Sequence, residues 1–112
     1  MIDWNILLTD QAEDDLRSIY EYLAYSLLMP ETAANLILRL KAQIAKLNSL
    51  PQSYALYTEE PWIRRGLRCI NAGNYAIFFV PVESKHTVAI IRIMYSGRNI
   101  KQILEEHTLS LE

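Results

Sequence analysis

Apolar residues recur at helical spacing through the first half of the chain and at nearly every other position through part of the second. Ala12, Leu16, Ile19, Tyr20, Leu23 and Leu27 fall mostly three or four residues apart and trace one face of a helix. Glu13, Asp14, Asp15, Arg17 and Glu21 lie off that stripe, and the acids suit a helix N-terminus. Thr9 or Asp10 offers the N-cap, and Asp10 with Glu13 three residues later resembles a capping box. Pro30 ends this helix or opens the next, because proline is tolerated in a first turn. Ala33, Leu36, Ile37, Leu40, Ile44 and Leu47 form the second stripe, with Arg39, Lys41 and Lys46 pointing elsewhere, and Pro51 closes it. The pattern predicts a helical hairpin, and each stripe needs an apolar partner, both the other helix and a sheet.

The strands frame this hairpin. Asp3 to Leu8 reads as a short first strand, and residues 51–62 look irregular. Gly66 to Asn71 alternates small or apolar with polar residues, and Ala72-Gly73-Asn74 signals a turn. Tyr75 to Val82 is rich in β-formers, Glu83-Ser84-Lys85 makes a second turn, and Thr87 to Tyr95 is a long strand. Ser96-Gly97 breaks it, and Asn99 to Glu106 suits a short last helix. The predicted class is α+β in the order β-α-α-β-β-β-α, a helical hairpin packed on a small antiparallel sheet, with residues 1–112 in one domain.

Composition narrows the class. Half the chain is hydrophobic and a fifth charged, the balance of a folded protein of a size that closes a core without disulfides or a structural metal. The longest apolar runs, such as Ala76 to Val80, fall far short of a membrane span of ~20 residues. Met1 to Asn5 lacks the features of a secretory leader, and the single Cys69 suits a reducing compartment, so a cytoplasmic location is expected. The net charge of −2 hides a split. Residues 1–61 hold four basic and nine acidic groups, whereas residues 62–104 hold Arg64, Arg65, Arg68, Lys85, Arg92, Arg98 and Lys101 against Glu83 alone. Such asymmetry fits a surface facing a polyanion or an acidic partner, or charges solvated over several faces.

No nucleotide loop or zinc spacing is present, and no metal or cofactor is expected. Strand alternation puts Cys69 on one face with Leu67, a core position more than a nucleophile's. The candidate chemistry is a set of cations and tyrosines on the sheet. Arg68 and Arg92, on neighbouring strands of an antiparallel meander, could approach each other and bind a phosphate bidentately. Each could instead pair with a local acid such as Glu59, Glu60 or Glu83. Tyr75 alternates with Ile77 and Phe79 as a core residue would, whereas Tyr95 ends its strand beside Arg98. Trp62, next to Pro61 and near Arg64 and Arg65, could stack on a base or cover the sheet edge, covering being the simpler role.

Taken in order, these residues resemble the RelE/ParE toxins of type II toxin–antitoxin systems, the plasmid stabilisation family, over nearly the whole chain. The resemblance rests on Ala12-Glu13-Asp14-Asp15-Leu16, Ile19 to Leu23, Pro30 with Thr32-Ala33-Ala34, and Ile44 to Leu47 before Pro51. It continues through Tyr57, Glu60-Pro61-Trp62, Gly66-Leu67-Arg68, Asn74 to Phe79, Val88, Ile90, Arg92-Ile93, Tyr95 and Gly97 to Ile100. It implies the hairpin-on-sheet fold and a cognate antitoxin partner. It implies function in two branches. RelE-like members cut messenger RNA on the ribosome by attack of a 2′-hydroxyl on the adjacent phosphate, which needs proton transfer and cations but no metal. By resemblance Arg68, Arg92 and Tyr95 would be catalytic, and Arg64, Arg65, Arg98 and Trp62 would bind RNA or another target. ParE-like members inhibit DNA gyrase without nuclease chemistry. The expectation from sequence is a ribosome-associated mRNA endoribonuclease. The alternatives are a gyrase inhibitor and a degenerate toxin kept as a binding partner. Tyr95-Ser96-Gly97-Arg98-Asn99 resembles the strand-end motif of the ParE-like branch, and a C-terminal His-Tyr pair found in some nucleases is missing.

Overall fold

The computed structural model describes residues 3–58, 60, 62–97 and 104. Strand β1 (Asn5–Leu8) leads into α1 (Asp10–Glu21), which continues as a π-helical turn over Tyr22–Ser26. After α2 (Pro30–Ala45) come β2 (Arg68–Ala72), β3 (Tyr75–Val82) and β4 (Thr87–Tyr95). The two helices pack on a four-stranded sheet of order β1-β4-β3-β2. The α+β class and the order β-α-α-β-β-β are those read from the sequence. The meander β2-β3-β4 is antiparallel, but β1 joins β4 in parallel, so the sheet is mixed. The α1–α2 hairpin, β2 and β3 all lie between β1 and β4 in the chain, and this long connection allows the parallel pairing that a tight turn cannot. The expected last helix lies outside the described residues apart from Leu104, which is helical and buried.

The elements form for local reasons. Thr9 caps α1, its Oγ1 accepting a hydrogen bond from the Ala12 amide at 3.2 Å. Pro30 opens α2, where its missing N–H leaves no helical bond unmade. Gly73, the first of two residues between β2 and β3, has φ +61, open to glycine without steric penalty.

The sheet has a core on each face. On the helical side Leu16, Leu36, Leu40 and Ile44 meet Ile77, Phe79, Val88, Ile90 and Ile93. On the other side Trp62, Leu67 and Leu104 meet Ala76, Phe78, Ile91 and Met94, with Tyr57 and Cys69 packed against them. Burial on both faces explains why Ala76 to Phe79 is continuously apolar. No helix among the described residues is long and apolar enough to cross a membrane.

Candidate functional site

The outer edge of β4 changes partner halfway along its length. Strand β1 pairs with it only as far as Leu8 opposite Ile90. Beyond that point Thr9 takes over: its amide donates to the Ile90 carbonyl at 3.2 Å and its hydroxyl donates to the same oxygen at 2.8 Å. One threonine thus finishes the sheet edge and starts the helix. Opposite, the β3–β4 register slips. Phe78 faces Arg92 while Phe79 faces Ile90, which leaves Ile91 as the extra residue of a bulge. Bulges re-aim neighbouring side chains, and here the next residue, Arg92, reaches α1.

Asp15 receives it. Its Oδ2 accepts from Arg92 Nε at 2.8 Å and from the Ile93 backbone N–H at 2.9 Å, and its Oδ1 accepts from Arg92 Nη2 at 2.9 Å. The side chains of Arg92 and Asp15 are only 10% and 14% exposed. A carboxylate with three donors, two from a planar guanidinium, is well matched to a low-dielectric position.

A groove of about 970 Å³ lies beside this clasp, between α1 and the end of β4. Gln11, Asp15, Ser18 and Tyr22 recur every three or four residues along one side of α1, and Tyr75, Met94 and Tyr95 come from the strands. The rings of Tyr75 and Tyr95 meet edge to face at 5.8 Å. A Cβ on Gly97 would come within 2.5 Å of the Tyr95 ring, so glycine at 97 lets that ring fold back over the turn. Burial, then the adjacent Tyr95 and Tyr22, raises the Tyr75 pKa above the ordinary phenol value. At neutral pH Tyr75 is a hydrogen-bond donor and a poor base. No lysine or histidine lines the groove among the described residues, and none of them form a cluster of three or more His, Cys, Asp or Glu suited to a metal.

The other residues singled out from sequence lie elsewhere. Arg68 is separated from β4 by β3; its partner in register, Phe79, faces Ile90. The backbones of Arg68 and Arg92 are therefore on the order of 10 Å apart, two strand spacings of ~4.8 Å, and each guanidinium is held by a partner of its own, Arg92 by Asp15 and Arg68 by a backbone carbonyl. Arg68 Nη1 donates to the Tyr54 carbonyl, and its Nε is buried without a partner. Trp62 is 4% exposed, set in the second core with the Arg65 guanidinium 5.4 Å from its ring centre. That is the covering role and leaves little ring to stack on a base. Arg64 pairs on the surface with Glu60 at 3.0 Å. Arg98 lies outside the described residues.

Asp15 is the residue that sequence reasoning passed over. A signal existed: Asp15 stands three residues after Ala12 and four before Ile19, on the flank of the apolar stripe. An acid there has to meet a donor from the sheet or keep the helix from seating.

The chain matches the family model for the ParE toxin of type II toxin–antitoxin system, parDE, over residues 6–100. No curated protein sequence matches it. Among solved structures it is similar to the chromosomal ParDE toxin–antitoxin system of P. aeruginosa, with 24% identity and TM-score 0.68, covering 82% of this chain and 95% of that one. It is also similar to the RelBE2 toxin–antitoxin complex of Mycobacterium tuberculosis, with 17% identity, TM-score 0.59 and coverage of 84% and 99%. A double mutant of the E. coli toxin RelE in the free state aligns with 12% identity, TM-score 0.58 and coverage of 92% and 100%.

Proposed function

The chain belongs to the ParE toxins of type II toxin–antitoxin systems, and from that premise we propose that it poisons a protein target, DNA gyrase first among candidates, without nuclease chemistry. The observation that carries this reading is the Asp15–Arg92 clasp. Cleavage of RNA through its own 2′-hydroxyl develops negative charge on a phosphorane, and cations must be aimed at it. Arg92 is instead bound in two-pronged fashion by a buried carboxylate, which repels phosphate, and Arg68 is two strands away. Tyr95 stands against Tyr75 in a groove without lysine or histidine among the described residues. An aromatic groove of this kind suits contact with another protein.

A cognate antitoxin is the second partner. The P. aeruginosa and M. tuberculosis neighbours are toxin–antitoxin systems by description, and the basic surplus between residues 62 and 104 favours an acidic antitoxin segment.

The test is expression in bacteria without antitoxin, following labelled amino-acid incorporation beside a DNA-damage reporter over the first minutes. Reporter induction with translation intact is expected, and Arg68→Ala should leave it unchanged. Early loss of translation with a silent reporter would replace this reading with messenger-RNA cleavage. Neither response from soluble protein would leave a toxin that serves only as a binding partner.

A further inference from the structure

The tip of the helical hairpin carries an exposed apolar group that runs on from Tyr22, which lines the α1–β4 groove, and Tyr25, which meets Tyr20 edge to face at 6.2 Å. From Tyr22 to Pro30 the chain has no charged residue. Tyr22, Tyr25, Leu27, Leu28 and Met29 are all exposed, Leu28 to 80%. Contiguous apolar exposure of this kind marks contact sites more often than scattered single residues do.

The backbone under this knob is unusual twice over. Tyr22–Ser26 winds as a π-helix, closed by the Leu27 amide on the Tyr22 carbonyl at 3.0 Å, and the Met29 amide returns to the Leu23 carbonyl at 2.8 Å. Leu28 then sits at φ +55, a left-handed position where helices ordinarily end on glycine or asparagine. A Cβ-bearing leucine is strained there, and its exposed side chain recovers nothing by burial. Leu50 is also left-handed and exposed, at φ +52 and 61%, but it leads into the buried Pro51; at Leu28 the strained residue stands within a run of exposed apolar side chains, and that conjunction points to a use outside the chain. The hydrogen bonds on either side of Leu28 fix the backbone of the turn, so the backbone needs little ordering on binding.

Charge selects the occupant. The knob is flanked by Glu21 and Glu31, and no basic residue lies between Arg17 and Arg39. An acidic collar repels a phosphate backbone and an acidic antitoxin segment alike. We infer that the hairpin tip is the element that enters the target protein, with Leu28 as anchor in an apolar pocket rimmed by lysine or arginine. The inference rests on the protein-target reading above and assigns a surface to it, one that adjoins the α1–β4 groove at Tyr22.

Leu28→Gly tests it, because glycine relaxes the backbone while removing the anchor, and Leu28→Asn is the second variant. Both should melt at or above the wild-type temperature. Both should need about tenfold more protein for half-inhibition of gyrase supercoiling, the size of effect expected from one lost anchor, and both should lose growth arrest. Variants as potent as wild type in both assays would overturn the inference and leave the gyrase reading intact. A wild-type chain that arrests growth without touching gyrase, while Leu28→Gly does neither, would remove gyrase and keep the tip. Lower melting in both variants would overturn the inference, since Leu28 would then serve the fold. So would wild-type-specific binding to phosphatidylethanolamine–phosphatidylglycerol vesicles, or a wild-type dimer that Leu28→Gly dissolves. A wild type inert in both assays would overturn both readings.

Discussion

The two ends of α1 follow opposite rules. At its start, side chains close what the backbone leaves open: Thr9 completes the edge of β4, and Asp15 takes Arg92 and the Ile93 amide together. At its far end, the hairpin tip shows apolar side chains to solvent and holds a leucine in left-handed backbone. The first region contains a residue that the sequence marks as chemical, and the structure uses it to join helix to sheet. The second is marked in the sequence only by Leu27, on the apolar stripe, yet Leu27, Leu28 and Met29 are all exposed. A charged residue in a strand can thus be claimed by the fold itself, as Arg92 is by Asp15.

The sharpest way to break this contrast is to cut the clasp. Asp15→Ala would leave the Arg92 guanidinium buried beside its lost partner and the Ile93 amide without its acceptor. Losing one partner of a buried pair costs about 3–5 kcal/mol, and urea denaturation should read a loss of that size. Replacing both residues together, as Asp15→Leu with Arg92→Met, should recover the part due to the stranded charge but not the part due to the Ile93 amide, which still lacks its acceptor. A loss below ~1 kcal/mol for Asp15→Ala, the range of surface pairs, would show the clasp to be solvated and would reopen Arg92 as a phosphate ligand.

Thr9 is the second hinge of the same region. Thr9→Ala removes an N-cap and the hydroxyl bond to the Ile90 carbonyl, for about 1–2 kcal/mol, whereas Thr9→Ser should restore most of it. An equal loss in the serine variant would shift the cause from hydrogen bonding to the packing of the threonine methyl. At the tip the sign reverses. Leu28→Gly should stabilise the fold, by up to about 1 kcal/mol once relief of left-handed strain is set against the added freedom of the unfolded chain.

What could be read in advance follows from periodicity. The stripe Ala33 to Leu47, the turn at Gly73 and the three consecutive strands are set by local spacing, and the structure keeps them; the first stripe, read from Ala12 to Leu27, holds as far as Leu23, because the π turn over Tyr22–Ser26 breaks the spacing and leaves Leu27 exposed. The parallel seat of β1 against β4 was not legible, because four residues in extended form say nothing about which edge they join. The meeting of Asp15 with Arg92 spans 77 residues of chain and depends on a bulge at Ile91 that no residue type announces. The separate partners of Arg68 and Arg92 were not legible for the same reason. Alternation gives a residue's face, but the strand lying between two residues comes only from the sheet order.

Cys69 offers the finest comparison, because it lies on the face of the sheet away from both ends of α1. It packs against the second core, and burial pushes its thiol up to about 11 from the ordinary value of 9.0. A folded pKa above the unfolded one means that the neutral thiol is favoured in the fold. Its contribution is complete below pH 9 and is lost as pH rises toward 11. The tyrosines titrate in the same range, so the useful quantity is the difference between wild type and Cys69→Ala, which should stay constant below pH 9 and move against wild type across that window. Alkylation of the native protein should be slow at pH 8 and accelerate only toward pH 11, because the thiolate is the reactive form. Rapid alkylation at pH 8 would place Cys69 at an opening between the segment carrying Trp62 and the sheet, and would make that outer layer, not the hairpin tip, the more readily displaced surface of the molecule.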